Sequence, residues 1–437
     1  MSKAIKDAGF TQESFETFLA ARDEPAWLTA LRREAFERFS ALALPTMREE
    51  EWMRTDIRLL KLDRFAPPPQ TPPEMAMPGT LLSANMELAG QTSSLDSQPV
   101  NAELDAKWAA KGVLFGSLER LVAEHGELLR PHFERRAVDP NFDKFSALQA
   151  AFWSGGTLLY VPRGVSVDRP LHALSAMSDG GVDLSRTLVV MEADSEATLV
   201  AETRSVSPTA GGLHCGAIEL LVAPQARLRY VNLQNWGNQV WHFAHQKALV
   251  DRDASLQWTI GALGSRLAKV NQHVALIGEG ANAQVNGVMF TEGKQHLSYH
   301  TLQHHLAPSC RSDLLYKAAL QDRSRTVWRG MIKVDNQAQK TDGYQRNDNL
   351  MLSRTSRADS IPGLEIEADD VRCTHGSTSG RVDEETIFYC RQRGLTRQEA
   401  IRLIVSGFFQ QISDRITIES VRESLARAIG SRIREYE

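Results

Sequence analysis

Cys373 and His375 stand two residues apart in the stretch ADDVRCTHGSTSG, Ala368 to Gly380. Side chains alternate faces along a strand, so residues i and i+2 share a face, and an extended backbone here aims thiol and imidazole at one target. A thiolate with a neutral imidazole suits iron, zinc or iron–sulfur species. A closed structural zinc site usually takes four protein ligands, so the pair is half a site. Cys390 adds a third ligand only if the chain folds back; otherwise a partner chain must complete the set. The competing reading is also physical: free Cys packs as a small hydrophobe, and His is satisfied by hydrogen bonds.

Other side chains compete for chemical roles. His296, His300, His304 and His305 fall within ten residues, and His242 lies close to His245. Such clusters bind metals, but they are also ordinary on strands and loops. The nearest approach to a phosphate-binding loop, Gly287 to Lys294, has one residue too many between its glycines and Gln295 where Ser or Thr should hold magnesium. No G-x-S-x-G elbow, H-E-x-x-H or paired C-x-x-C is present. The expectation is a chain that binds no nucleotide and carries no known catalytic signature.

The 437 residues include 50 Lys plus Arg against 54 Asp plus Glu, with no long basic run, which disfavours nucleic acid as a partner. Cys215, Cys310, Cys373 and Cys390 are scattered, which argues against a disulfide framework and for a reducing compartment such as the cytosol. The first residues lack an apolar export core, and no run approaches the roughly 18 apolar residues of a membrane span. A soluble, non-exported protein is expected.

The elements that must position these residues are legible in outline. From Phe10 to about Asp56 the pattern is helical, with Trp27, Leu31, Ala35 and Phe39 every fourth residue and Pro25 suited to a first turn. The N-terminal helical region (1–65) gives way to a proline-rich linker (66–78) and a mixed lead-in (79–156), in which Gly155 and Gly156 separate a helix from a strand. Across 157–382, short strands share a pattern of turn, alanine and alternating strand. The alanines are Ala197, Ala226, Ala254 and Ala281, at intervals of 29, 28 and 27 residues. Two strands per period is what stacked β-coils produce, because each coil buries its inner face only against its neighbours. An antiparallel sandwich also has short strands but needs no fixed period. The expected fold is therefore mainly β, a β-solenoid flanked by helices, with the interval stretching between Thr291 and Cys310.

After Val382 the helical period returns. Thr396 and Glu399 form a capping-box pair, and Ala400, Leu403, Ile404, Gly407 and Phe408 make an apolar stripe. A second helix starts near Ser420 with Val421, Leu425, Ile429 and Ile433. These helices (383–437) either cap the solenoid or offer Phe408 and Phe409 as a docking surface.

The segment from Ile361 to Ile412 closely resembles the C-terminal signature of the SufB/SufD family of iron–sulfur cluster assembly proteins. Leu44 to Ile57 (LPTMREEEWMRTDI) is similar to an N-terminal motif of its SufD branch, and Phe145 to Val165 to the start of the shared core. The resemblance implies a right-handed parallel β-helix, a heterodimer with a SufB-like subunit, and SufC-like ATPases docked on the C-terminal helices. It further implies a nascent iron–sulfur cluster, or iron, shared with the partner, and reduced flavin only at the level of the complex.

In the SufB branch an essential cysteine stands 28 positions before a His-Glu pair; here Asn347 stands 28 positions before His375, and Gly376 replaces the Glu. These departures match the SufD branch, whose histidine maps onto His375 and whose neighbouring cysteine maps onto Cys373, both at the heterodimer interface. The implied role is a non-enzymatic scaffold subunit, with ATP hydrolysis in the partner. If Glu365 to His375 is one unbroken strand, Glu365, Glu367 and Asp369 share the face of the pair as hard ligands for ferrous iron; a bulge cancels this. Two alternatives remain: a purely structural partner, and a β-helix enzyme acting on polysaccharide through Asp335, Asp342 and Asp348. An isolated chain that pairs with itself is also compatible with the sequence.

Overall fold

The computed structural model describes residues 9–433 apart from 69, 72, 84 and 85. The first eight residues of the helical N-terminal region, two positions of the proline-rich linker and the last four residues of the C-terminal region thus lie outside the described residues. The centre of the molecule is a β-solenoid whose strands alternate between two ten-stranded sheets. One sheet runs through Glu196–Ser205, Arg227–Asn235, Ser255–Ala262, Asn282–Thr291, Arg311–Leu320, Thr341–Met351 and Val371–Arg381. The other runs through Gly211–Val222, Gln239–Val250, Leu267–Leu276, His296–His305, Arg325–Val334 and Arg357–Ile366. Every pairing along these two paths is parallel, as the repeat requires.

The register shows how the period arises. Arg227 lies opposite Ser255, Ser255 opposite Asn282 and Asn282 opposite Arg311, so Ala226, Ala254, Ala281 and Cys310 occupy one corner of successive coils. Just before each corner residue, one residue adopts positive φ: Gln225 (62°), Asp253 (53°), Gly280 (74°) and Ser309 (59°). This left-handed step turns the chain into the next strand, and the small buried residue behind it lets the coils stack closely.

Two expectations change. Ala197 lies opposite Leu228, so the true counterpart of Ala226 is Ser195, two residues earlier. The interval also does not stretch after Thr291: His296–His305 is a complete strand, and Cys310 follows Ala281 by 29 residues. The histidines concealed that strand because they break the apolar alternation.

The N-terminal end of the solenoid is closed. Strand Gly90–Leu95 pairs in parallel with Leu171–Met177 and antiparallel with Gln98–Leu104, while Leu114–Ser117 runs antiparallel to Thr157–Val161. Trp108, from the short helix Ala106–Ala109, fills that end at 1% exposure. The Gly155–Gly156 corner has positive φ at both residues, and a Cβ on Gly156 would stand 2.1 Å from the Arg186 carbonyl oxygen, so only glycine fits.

The helices on this flank are α1 (Gln12–Ala20) and α2 (Ala26–Ala41), followed by α3 (Leu118–Glu134) and α4 (Lys144–Phe152). The helical pattern does not continue to Asp56. Beyond Ala41 only the 3₁₀ turn Glu50–Trp52 forms before that residue, in a run of backbone turns from Thr46 to Thr55 that never closes a full α-helical turn. In α2 the buried residues are Leu28, Arg32, Ala35, Phe36 and Phe39, with Trp27 and Leu31 on a neighbouring, partly covered stripe.

After the last strand, α5 (Glu384–Gln392), α6 (Arg397–Ser413) and α7 (Glu419–Gly430) fold back along the outer face of the first sheet, against Val231, Leu233, Val288, Phe290 and Leu315. The Thr396–Glu399 capping box is present. The last helix buries Val421, Leu425 and Ile429, with Ile433 after it, but begins at Glu419 without a side-chain cap.

The open end and its candidate metal ligands

Val371–Arg381 and Arg357–Ile366 are the last strands of their sheets, so each is hydrogen-bonded along one edge only. Cys373 lies opposite Gly343, His375 opposite Gln345 and Ser377 opposite Asn347. Gln345 and Asn347 are fully buried inside the solenoid, which fixes the direction of the i, i+2 set: Cys373, His375 and Ser377 point along the interior axis at an uncovered end. The Ser377 hydroxyl meets the Ser360 hydroxyl of the facing strand at 2.8 Å. Leu364 and Ile366, which continue the interior stripe of Ile332 and Val334, are 37% and 40% exposed because no further coil among the described residues covers them.

Sequence spacing correctly placed thiol and imidazole on one face. Cys373 is half-buried against Ile332, Val334 and Val371, while His375 is exposed. Burial pushes the Cys373 thiol up; the Gly343 backbone opposes that rise, and Asp342 adds a smaller contribution to it. The thiol is thus protonated in the free chain at neutral pH, and metal binding there would release a proton. An imidazole and a thiol on one face fit as a partial donor set, and the missing ligands must come from whatever covers the end.

The proposed carboxylate face does not form. The strand ends at Ile366, the chain turns through residues 367–370, and a new strand carrying Cys373 begins at Val371 in the opposite sheet. Glu365 points outward, 2.5 Å from the Lys333 ammonium, which also lies 3.9 Å from Glu367. Alternation holds within one strand, and a corner between sheets resets it. Cys390 sits on α5 against the helical cluster, separate from the apolar group around Cys373.

The histidines disperse. His300 Nδ1 lies 2.7 Å from Glu51, His304 Nε2 lies 2.8 Å from Asp335, and His305 Nε2 lies 2.8 Å from the Ser312 hydroxyl inside the solenoid. Burial holds His296 and His305 down to about 4, so both are neutral at physiological pH. His242 accepts from the Trp236 indole at 3.2 Å, and His245 lies 3.1 Å from Asp143. Among the described residues no three His, Cys, Asp or Glu side chains converge as a metal site.

The three carboxylates of the enzyme alternative are likewise engaged: Asp335 with His304, Asp342 within 3.8 Å of Arg311, and Asp348 buried between Lys317 and Arg346.

The stripe expected for docking on α6 is split by the fold. Ala400 is fully buried and Ile404 and Phe408 are partly buried, so they hold the helix to the solenoid; Leu403 and Gly407 face solvent. The inward stripe is Ala400, Ile401, Val405, Phe409 and Ile412. Phe409, offered as a docking residue, is buried, whereas Phe388, Tyr389 and Leu403 are 61%, 60% and 57% exposed.

Two features escaped the sequence. Glu51 is clasped by three successive coils: its carbonyl accepts from Lys269 at 2.9 Å, and its carboxylate is held by His300 and by Arg329 at 2.9 Å. These contacts lower the Glu51 carboxyl to about 2, chiefly through the hydrogen bond to His300. Inside the solenoid, Gln246, Gln272, Gln303 and Gln345 are buried polar residues in successive coils. The alternation of Thr301, Gln303 and His305 was the available signal, since these residues share the buried face of their strand while His300, Leu302 and His304 on the other face are only partly covered.

A parallel β-solenoid with helical flanks, closed at one end and presenting a thiol and an imidazole at the other, is thus the class that fold and site define. Residues 174–408 match the SUF system FeS cluster assembly SufBD core domain, and residues 92–173 match the SufBD protein N-terminal region. The chain belongs to the SufBD family of iron–sulfur cluster assembly proteins. It is 26% identical over 429 residues to the iron-sulfur cluster assembly protein SufB of Bacillus subtilis, covering 94% of this chain and 91% of that protein. A SufBD family protein of Staphylococcus saprophyticus is 26% identical with the same coverage, and one of Staphylococcus aureus is 28% identical over 334 residues, 76% of this chain and 71% of that protein. No helix among the described residues is long and apolar enough to cross a membrane.

Proposed function

We propose that this chain is a non-catalytic, SufD-like scaffold subunit that pairs through its open end with a SufB-like subunit, and that iron and sulfide assemble into a nascent cluster at that junction. One observation carries the reading: the last coil leaves Leu364 and Ile366 uncovered beside Cys373 and His375, with two strand edges unpaired. Unpaired edges and uncovered apolar residues favour association with another chain. His375 is the principal ligand toward iron, its neutral imidazole donating beside thiolate from the partner, and Cys373 is an auxiliary ligand or redox-sensitive neighbour. Asn347, buried and bonded into the interior, leaves cysteine chemistry to the partner.

A SufC-like ATPase docks on the C-terminal helices. The expected stripe of Ala400, Leu403, Ile404, Gly407 and Phe408 contributes Leu403 and Gly407 directly, joined by Phe388 and Tyr389. ATP hydrolysis belongs to that partner, reduced flavin acts at the level of the complex, and the setting is the cytosol. Without its partner the open end pairs with a second copy of itself.

The test is anaerobic iron and sulfide reconstitution of the complex co-expressed with SufB-like and SufC-like partners, comparing wild type with His375→Ala by absorption and Mössbauer spectroscopy. A lost or altered cluster from an intact complex supports a ligand role. An unchanged cluster removes it and leaves a purely structural partner.

A further inference from the structure

A cavity of about 430 Å³ lies where the C-terminal end of α7 meets four successive corners of the solenoid, far along the chain from the Cys373–His375 strand. Its walls include Trp236 and Asn238 from one corner, Ser205 and Ser207 from another, and Ala428 and Ser431 from the helix side. Two guanidinium groups border it, Arg204 from the strand Glu196–Ser205 and Arg432 from the chain just after α7.

The charge arrangement is unusual for a merely structural joint. Arg432 Nη2 donates to the Asn235 side-chain oxygen at 2.6 Å, its Nε is 3.9 Å from Glu292, and its Nη1 is buried without an acceptor among the described residues. Burial lowers the Arg432 pKa; Glu292 opposes the fall and the Arg204 charge adds to it, so the two cations feel each other across the site. Arg204 donates to the Gly79 carbonyl, a neutral acceptor, and no carboxylate among the described residues pairs with it. Two converging guanidinium groups offset by one carboxylate leave a net positive, partly desolvated pocket, which attracts an anion more strongly than open water would.

We propose that this cavity binds an oxyanion of the phosphate class. A tetrahedral oxyanion offers several acceptor oxygens, which suits planar guanidinium forks, and the Ser205 hydroxyl, which itself accepts from the Gly237 N–H, and the Asn238 amide can donate to the remaining oxygens. The volume falls within the range of small-ligand sites, so the cavity admits a phosphate with a small substituent. Bound there, the anion joins α7 to the corners of the solenoid and braces the C-terminal helices. The cavity shares no lining residue with the strand that carries Cys373 and His375.

The experiment is isothermal titration of the full-length chain with inorganic phosphate, at constant ionic strength against chloride, together with the thermal midpoint in each salt. Wild type is expected to bind phosphate and melt at higher temperature in it. Arg204→Gln, at a partly exposed residue, is expected to weaken binding by about ten- to a hundredfold, the effect of removing a charge-assisted pair. Arg432→Lys, which keeps the charge but loses the fork, is expected to weaken it less. Phosphate indistinguishable from chloride, or an unchanged response in a folded Arg204→Gln chain, overturns the proposal.

Discussion

The two ends of the solenoid are made from the same kind of coil and finished in opposite ways. At the N-terminal end two antiparallel pairings terminate the parallel sheets and Trp108 plugs the interior. At the C-terminal end the sheets stop at the free edges of Arg357–Ile366 and Val371–Arg381, and interior positions become surface. A repeat buries its inner face only against its neighbours, so a terminal coil must be capped or remain incomplete. The capped end buries its last interior face within this chain; the bare end leaves apolar residues, a thiol and an imidazole open, which is where the proposed association and chemistry belong.

The largest expected effect breaks the capped end. Trp108→Ala should lower unfolding free energy by about 3–5 kcal/mol, as for other fully buried large aromatics, read from urea denaturation. A loss below about 1 kcal/mol would show that the plug is dispensable.

The reverse change belongs to the open end. Ile366→Asp should leave the isolated chain within about 1 kcal/mol of wild type, because the site is already partly exposed, yet weaken association with a SufB-like partner by about 2–4 kcal/mol, roughly 30- to 700-fold. Equal affinities by surface plasmon resonance would remove the open end from the interface.

A third comparison sets the clasp beside both ends. Lys269 is held down to about 7 by burial, with Glu51 and Asp143 opposing the fall. Between about pH 7 and its unfolded value near 10.5 the unfolded chain holds a proton that the folded chain has lost, so this group makes stability rise with pH over that window. Lys269→Met should flatten that rise, measured by denaturation at pH 7 and 9; an unchanged slope would assign it to other groups. At the opposite extreme of pH, the depressed Glu51 carboxyl contributes stability that is present above about 4.5 and lost as pH falls toward about 2.

The smallest effect is on α6. Leu403→Ala should change chain stability by no more than about 0.5 kcal/mol, and a reduction in ATPase co-purification with a folded chain would mark the docking face. Undiminished co-purification would move that face elsewhere.

Much of the fold was legible because it follows from short-range patterns. The recurrence of Ala226, Ala254 and Ala281 reflects one corner repeated coil after coil, and Thr396 with Glu399 announces a helix start through its own hydrogen bonds. The i, i+2 spacing of Cys373 and His375 sufficed to put both on one face. Ala197 misled because an alanine two residues out of register looks the same in sequence. The α6 stripe was misdrawn because an apolar helix face does not announce whether its own solenoid or a partner covers it.

Sequence alone therefore determined the coiled β architecture, the helical flanks and the pairing of thiol with imidazole, since these depend on local periodicity and backbone preference. Only the tertiary structure decided that Glu365 faces away from that pair, that Glu51 is gripped by three coils, and that Arg204 and Arg432 meet across a cavity. Each of those facts depends on where a corner redirects the chain or on residues hundreds of positions apart, and alternation along a single strand carries no information about either.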